Sequence, residues 1–259
     1  MTLAAFVAST DAQAAMISIN QPKIELELSR GETYSGETTV ENPTEETLDL
    51  KMYLEDWQYK GNGTGEKDFS PPKTTPLSAS GWITFSPADA KLAPFGKQTI
   101  RYTVHVPEDA EGGHYSVLFF ESMIGSVPDD SNPGAMIRVA GRIGALFFIR
   151  VKDTIRREGL VESLKVTPPQ GNSPMELETT FKNTGNIDVT LEGNFLIMSA
   201  DGQVLGRGDI DKVYTFPGET DTRKTQWVGR LPKGDYDLLV TYDMGAGQAI
   251  VKEEKISVA

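Results

Sequence analysis

Polar and apolar residues alternate with a period of two along most of this chain. Ile17-Ser18-Ile19 and Ile24-Glu25-Leu26-Glu27-Leu28 switch sides at every step, as a strand with one buried face requires. Arg30-Gly31-Glu32 reads as a turn, and Tyr34 to Glu41 and Leu48 to Leu54 as the next strands. From Trp57 to Ser80 the pattern breaks. Gly61-Asn62-Gly63-Thr64-Gly65 and Ser70-Pro71-Pro72 oppose long regular elements, so this stretch is expected to be an extended loop. Strands resume at Trp82 to Phe85, Gln98 to Val106, Tyr115 to Met123 and Ala135 to Val151, with a Pro/Asp/Asn-rich loop at Val127 to Gly134.

The second half repeats the grammar, with strands expected at Leu160–Val166, Met175–Asn183, Val189–Ser199, Gln203–Asp209, Lys224–Trp227, Tyr236–Tyr242 and Ala249–Val258. Many short strands between turn clusters predict an all-β molecule built from sandwiches. A charged, weakly patterned stretch from Lys152 to Gly159 predicts a division into residues 16–152, with an insertion at about 57–80, and residues 160–259. Landmarks recur across that division. Asn42-Pro43-Thr44 resembles Asn183-Thr184-Gly185, and Pro94-Phe95-Gly96, Gly113 and Tyr115 resemble Pro217-Gly218, Gly234 and Tyr236. The asparagines are 141 positions apart and the tyrosines 121, which places extra residues in the first half, where the Gly/Pro-rich stretch lies.

Composition narrows the functions. Of 259 residues, 37 are Asp or Glu and 25 are Lys or Arg, a net charge of −12 that opposes binding to nucleic acid or to anionic membrane surfaces. With no Cys, disulfides, thiolate metal sites and a Cys nucleophile are excluded. Two histidines, His105 and His114, cannot build a multi-histidine metal centre, and His114, after Gly112-Gly113, reads as an exposed turn residue. No nucleophile elbow, P-loop or dinucleotide fingerprint occurs, so no catalytic residue, metal or cofactor is expected, and the chain reads as a non-enzyme. Asp129-Asp130-Ser131-Asn132 offers oxygen ligands but lacks the spacing of a calcium loop, and is read as a solvated acidic tip. Trp57, Trp82 and Trp227 are expected in packing positions.

At the N-terminus, Leu3 to Ala8 is apolar and Ala12-Gln13-Ala14 fits a signal-peptidase site. Residues 1–15 are therefore expected to be an export signal whose basic beginning is missing, giving an extracytoplasmic product with no integral membrane span.

The stretch from Ala135 to Val151 is unusually long for one strand. One face, Ile137 through Val151 at alternate positions, is apolar and belongs in a sandwich. The other mixes Arg138, Arg142 and Arg150 with Leu146 and Phe148, which suits a strand at a cleft or an open edge, where a partner chain can pair and guanidinium groups can hold a carboxylate. The simpler alternative is a closing strand whose arginines reach water.

These features together resemble the PapD-like periplasmic chaperones of pilus assembly. Ile19-Asn20-Gln21-Pro22-Lys23 is similar to the early strand that carries a cleft cation in that family, with Lys23 at the matching position. Trp82 to Pro87, Leu92 to Gly96, Tyr115 to Glu121 and Gly144 to Arg150 are similar to later segments of the first domain. The family's second cleft cation precedes the apolar run, where this chain has Ala145, so Arg142 is only an approximate counterpart. The second half, with Phe181-Lys182-Asn183-Thr184-Gly185-Asn186, is similar to a generic bacterial immunoglobulin-like module. The resemblance implies two tandem immunoglobulin-like sandwiches and a periplasmic, chaperone-like protein that binds a pilin-like or other surface subunit. Lys23, Arg138, Arg142, Leu146, Phe148 and Arg150 are its partner-binding candidates. The competing expectation is a structural or adhesive cell-surface module.

Overall fold

The computed structural model describes residues 17–61, 64–129, 131–132, 134–171 and 173–258. The expected export signal lies outside these residues. Among them no helix is long and apolar enough to cross a membrane. The chain runs through β1 (Ser18–Ile19), β2 (Lys23–Leu28), β3 (Thr33–Glu41), β4 (Leu48–Tyr59), β5 (Lys67–Ser70) and β6 (Ile83–Ser86). It continues through β7 (Asp89–Leu92), β8 (Lys97–His105), β9 (Gly113–Pro128) and β10 (Met136–Val151). After a short linker come β11 (Gly159–Thr167), β12 (Met175–Asn183), β13 (Val189–Ser199), β14 (Val204–Thr215), β15 (Thr220–Trp227), β16 (Gly234–Gly245) and β17 (Gln248–Val258).

Four sheets result. The first ten strands form one sheet in the order β1-β3-β8-β6 and another in the order β2-β10-β9-β4-β5, with β7 also on β4. The last seven form β11-β12-β15 and β14-β13-β16-β17. Each pair of sheets encloses its own core, so the molecule is two immunoglobulin-like sandwiches in tandem. The alternation explains why. Leu48, Leu50 and Met52 of β4, Leu118 and Phe120 of β9, and Ala145, Phe147, Ile149 and Val151 of β10 all point into the first core. Phe181, Leu191, Phe195, Leu238 and Val240 do the same in the second. Burying side chains of this kind contributes about 1.5–3 kcal/mol each.

The two asparagine landmarks do equivalent work. Asn42 is buried and donates through Nδ2 to the carbonyls of Glu46 (2.7 Å) and Ala93 (3.0 Å), while its Oδ1 accepts from Thr44 N at 3.0 Å. Buried Asn183 donates to the Ile187 carbonyl at 2.9 Å and accepts from Gly185 N at 3.0 Å. In each sandwich one side chain satisfies backbone groups that a corner removes from the strand ladder.

Three local expectations are corrected. The stretch after Trp57 is not all loop: β4 continues to Tyr59, and β5 folds back onto it, pairing Asp56–Tyr59 with Ser70–Lys67. β14, expected over Gln203–Asp209, runs from Val204 to Thr215. His114 is no exposed turn residue. It lies in β9, half-buried, with its ring 4.1 Å from that of Trp82, and burial pushes its imidazole below the usual value.

Candidate functional site

The site is built on the outer face of the β2-β10-β9-β4 sheet, away from the first core. Side chains that alternate with core residues share this face: Tyr53, Trp57 and Tyr59 of β4, Tyr115, Val117 and Phe119 of β9, and Leu146 and Phe148 of β10. A sheet face this apolar needs a cover. The second sandwich supplies Tyr214 and Phe216 from the end of β14 and the turn that follows it, and the first adds Leu77 from its long insertion. Trp57 sits at the centre, 5.1 Å from the Phe216 ring, 5.0 Å from Phe148 and 5.6 Å from Tyr115, and its indole N–H donates to the Ser116 carbonyl at 3.1 Å. Tilted and edge-on aromatic pairs of this kind add about 0.5–1.5 kcal/mol each beyond their burial. Burial pushes the Tyr59 phenol up to about 12 and raises that of Tyr115 further.

Polar groups complete the joint. Asp188 of the second sandwich, nearly buried, lies 3.3 Å from Arg150 Nη2 and accepts from the Tyr115 hydroxyl at 3.1 Å. That hydroxyl in turn accepts from the Asp188 backbone N–H at 2.6 Å. Gly113 N donates to the Asn186 carbonyl at 2.8 Å, and Asn186 Nδ2 to the Thr154 carbonyl at 2.8 Å. Burial works against the Arg150 charge, but Asp188 and Glu25 outweigh it and hold the guanidinium above its ordinary value.

The sequence-derived candidates fall into three places. Leu146, Phe148 and Arg150 belong to the joint: Phe148 is buried under Trp57 and Lys23, and Arg150 is held by Asp188. Lys23 opens β2, with its ammonium 4.5 Å above the Phe148 ring and 2.9 Å from Glu25, whose carboxyl it holds below the usual range by hydrogen bonding. Arg142 and Arg138 lie farther along β10. Lys23 pairs in register with Leu146, so Arg142 stands four residues away, about 13 Å along the strand. The structure therefore does not bring Lys23 and Arg142 together. Arg142 stacks 4.0 Å from the Phe119 ring centre and binds Glu55 at 3.0 Å and the Tyr53 hydroxyl at 3.2 Å. Arg138 is exposed, opposite Ser126. Trp57, Tyr115, Asp188 and Phe216 were not among the candidates. The available signal was the aromatic run Tyr53, Trp57, Tyr59 at alternate positions, which marks a second buried face on β4.

The edge of β10 is divided. β2 runs parallel to it and covers Leu146 to Val151, with Leu146 N donating to the Pro22 carbonyl at 3.0 Å. At that point the chain leaves for the other sheet, where β1 pairs with β3. From Met136 to Ala145, β10 is paired with β9 on one side, and among the described residues no strand pairs with the other. Met136 and Ile137 are 57% and 50% exposed here, so apolar side chains accompany the unpaired backbone. The ladder between β9 and β10 has a one-residue bulge at Val139/Ala140.

No protein-family model and no curated protein matches the chain. Solved structures do. A chain in a chaperone–tip adhesin complex of CFA/I fimbriae biogenesis superposes with a TM-score of 0.50 at 14% identity, over 94% of this chain and 100% of that one. The class 5 fimbriae chaperone CfaA gives 0.49 at 14% identity, over 92% and 99%. The CsuC–CsuE chaperone–tip adhesion subunit pre-assembly complex of Acinetobacter baumannii gives 0.44 at 14% identity, over 92% and 98%. At this identity the likeness is one of fold, and with its two sandwiches and long β10 the chain has the PapD-like fold of the fimbrial chaperones.

Proposed function

We propose that this protein is an extracytoplasmic, non-catalytic chaperone that lends the open edge of β10 to an incompletely folded pilin-like subunit. The observation that carries this reading is the division of the β10 edge at Leu146. From Met136 to Ala145 no strand among the described residues pairs with this edge, while the remainder is closed by β2. An unprotected edge of this length is an aggregation hazard unless it has a use, and adding a strand to it is a general mode of protein recognition. Backbone pairing would give affinity, and Ile137, Val139 and Ile143, on the face that continues into the first core, would complete the subunit's own core. Lys23, Leu146, Phe148 and Arg150 would set the lower limit of the docking strip, with Arg138 and Arg142 inside it. The periplasm is the compartment that fits such a role.

The test is a refolding experiment with an immunoglobulin-like pilin subunit that lacks one of its own strands. In the presence of the protein the subunit should stay soluble as a one-to-one complex. Backbone amides of Met136 to Ala145 that exchange freely in the isolated protein should become protected in it. A subunit that aggregates regardless, or a complex in which these amides stay unprotected, would overturn the reading and favour a spacer or adhesive module.

A further inference from the structure

We infer that the strand accepted by the β10 edge carries two carboxylates four residues apart, facing Arg138 and Arg142. This rests on the strand-lending function just proposed and specifies its partner. The reasoning starts from the register. Lys51 of β4 lies opposite Glu121 of β9, and Glu121 lies opposite Arg142 of β10. One row across the sheet face therefore reads cation, anion, cation, and its next position belongs to whatever strand joins β10. Directly opposed side chains on one sheet face interact, favourably for opposite charges and unfavourably for like ones. Arg142 already binds Glu55 of β4 at 3.0 Å, so a carboxylate on the joining strand would share it and continue the alternation, whereas a lysine or arginine there would break it.

Arg138 repeats the demand four residues earlier on the same face. Its neighbour across the ladder is the uncharged Ser126, and among the described residues it forms no ion pair. A strand paired with β10 in either direction meets both arginines with the same four-residue spacing. Between its two acids, the residues on the opposite face would meet Val139 and Gly141. They would be apolar, and the one opposite Gly141 can be large because glycine offers no side chain.

The same two arginines act against self-association. Two copies of β10 pairing antiparallel about Ala140 would set Arg138 of each against Arg142 of the other. The edge is thus biased toward an acidic strand and away from a second copy of itself.

Three synthetic peptides of alternating pattern, identical except for Glu, Gln or Lys at the two positions four apart, test this by fluorescence anisotropy against the full chain. Glu should bind more tightly than Gln, and Gln more tightly than Lys, by about two- to fivefold per position. In the Arg138→Glu protein the preference should weaken or invert, with the Lys peptide gaining. Equal affinity for the three peptides, no binding of any, or an order unchanged in Arg138→Glu overturns the inference. A fourth peptide, the Glu form with alternate backbone nitrogens methylated, separates the two levels. If it binds as well as its parent, edge pairing itself is wrong. If it fails to bind while charge has no effect, only the acidic specificity is wrong.

Discussion

Asp56 is a carboxylate with no solvent exposure that organises the insertion above it. It accepts hydrogen bonds from Thr74 N at 2.9 Å, Thr75 N at 3.0 Å and Ser78 Oγ at 2.6 Å. Burial alone would raise its proton affinity, but the hydrogen bonds win and hold it below the ordinary value. The folded state therefore favours the ionised form. The resulting stability is complete above the unfolded value near about 4 and is lost as pH falls through the depressed folded value. Asp56→Ala should cost about 2–3 kcal/mol in urea denaturation at pH 7, and the difference from the parent should shrink in acid. Tyr115 and Tyr236 give a sharper comparison, because both stand two residues after the glycine that opens their strands. The Tyr236 hydroxyl closes a local corner on the Pro232 carbonyl at 2.7 Å, while that of Tyr115 reaches Asp188 in the other sandwich. Tyr236→Phe should lower only the stability of the second sandwich, by about 1–2 kcal/mol. Tyr115→Phe should instead split a single thermal transition into two, as followed by calorimetry. The pairing of these tyrosines was legible in the sequence, but their different partners were not, since Asp188 is 73 positions from Tyr115.

At the scale of elements, the long alternating strands were readable, and so was the four-residue β6, whereas β5 and β7, also of four residues, were not. β5 and β7 pair with β4 and are too short for their own pattern to stand out, and the Gly/Pro signals around β5 correctly marked turns while hiding the strand between them. β10 was legible as a long strand with one apolar face. What the sequence left open was the fate of its other face, because Phe216 and Tyr214, which close the lower half, come from far along the chain. Phe216→Ala should remove about 3–5 kcal/mol of packing. If the cluster fixes the sandwiches in one orientation, small-angle scattering of this variant should show a wider distribution of shapes, while amide exchange within each core stays slow.

For the whole molecule, an excess of twelve negative charges means that repulsion outweighs attraction between its surface groups at low salt. Most of the ion pairs among the described residues, such as Lys91 with Asp49 and Lys97 with Glu41, are exposed and contribute little individually. The melting temperature should accordingly rise between about 0.02 and 0.2 M sodium chloride, as the screening length shortens to roughly 7 Å. A fall over this range would show that the exposed pairs matter more than their geometry suggests.

The contact of Trp57 with Phe216 bears on how such proteins can be recombined. Tandem sandwiches are often treated as interchangeable beads, yet here each half carries residues that make sense only against the other. A hybrid that joins the first half to an unrelated immunoglobulin-like module would strand Trp57, Tyr115 and Phe148 in water and leave Arg150 with only the more distant Glu25. Such a hybrid should express poorly or aggregate unless the donor module brings an aromatic residue at the position of Phe216 and a carboxylate at that of Asp188. Across natural relatives these two positions should change in step with Trp57 and Arg150, so that inheritance acts on the joint as one unit.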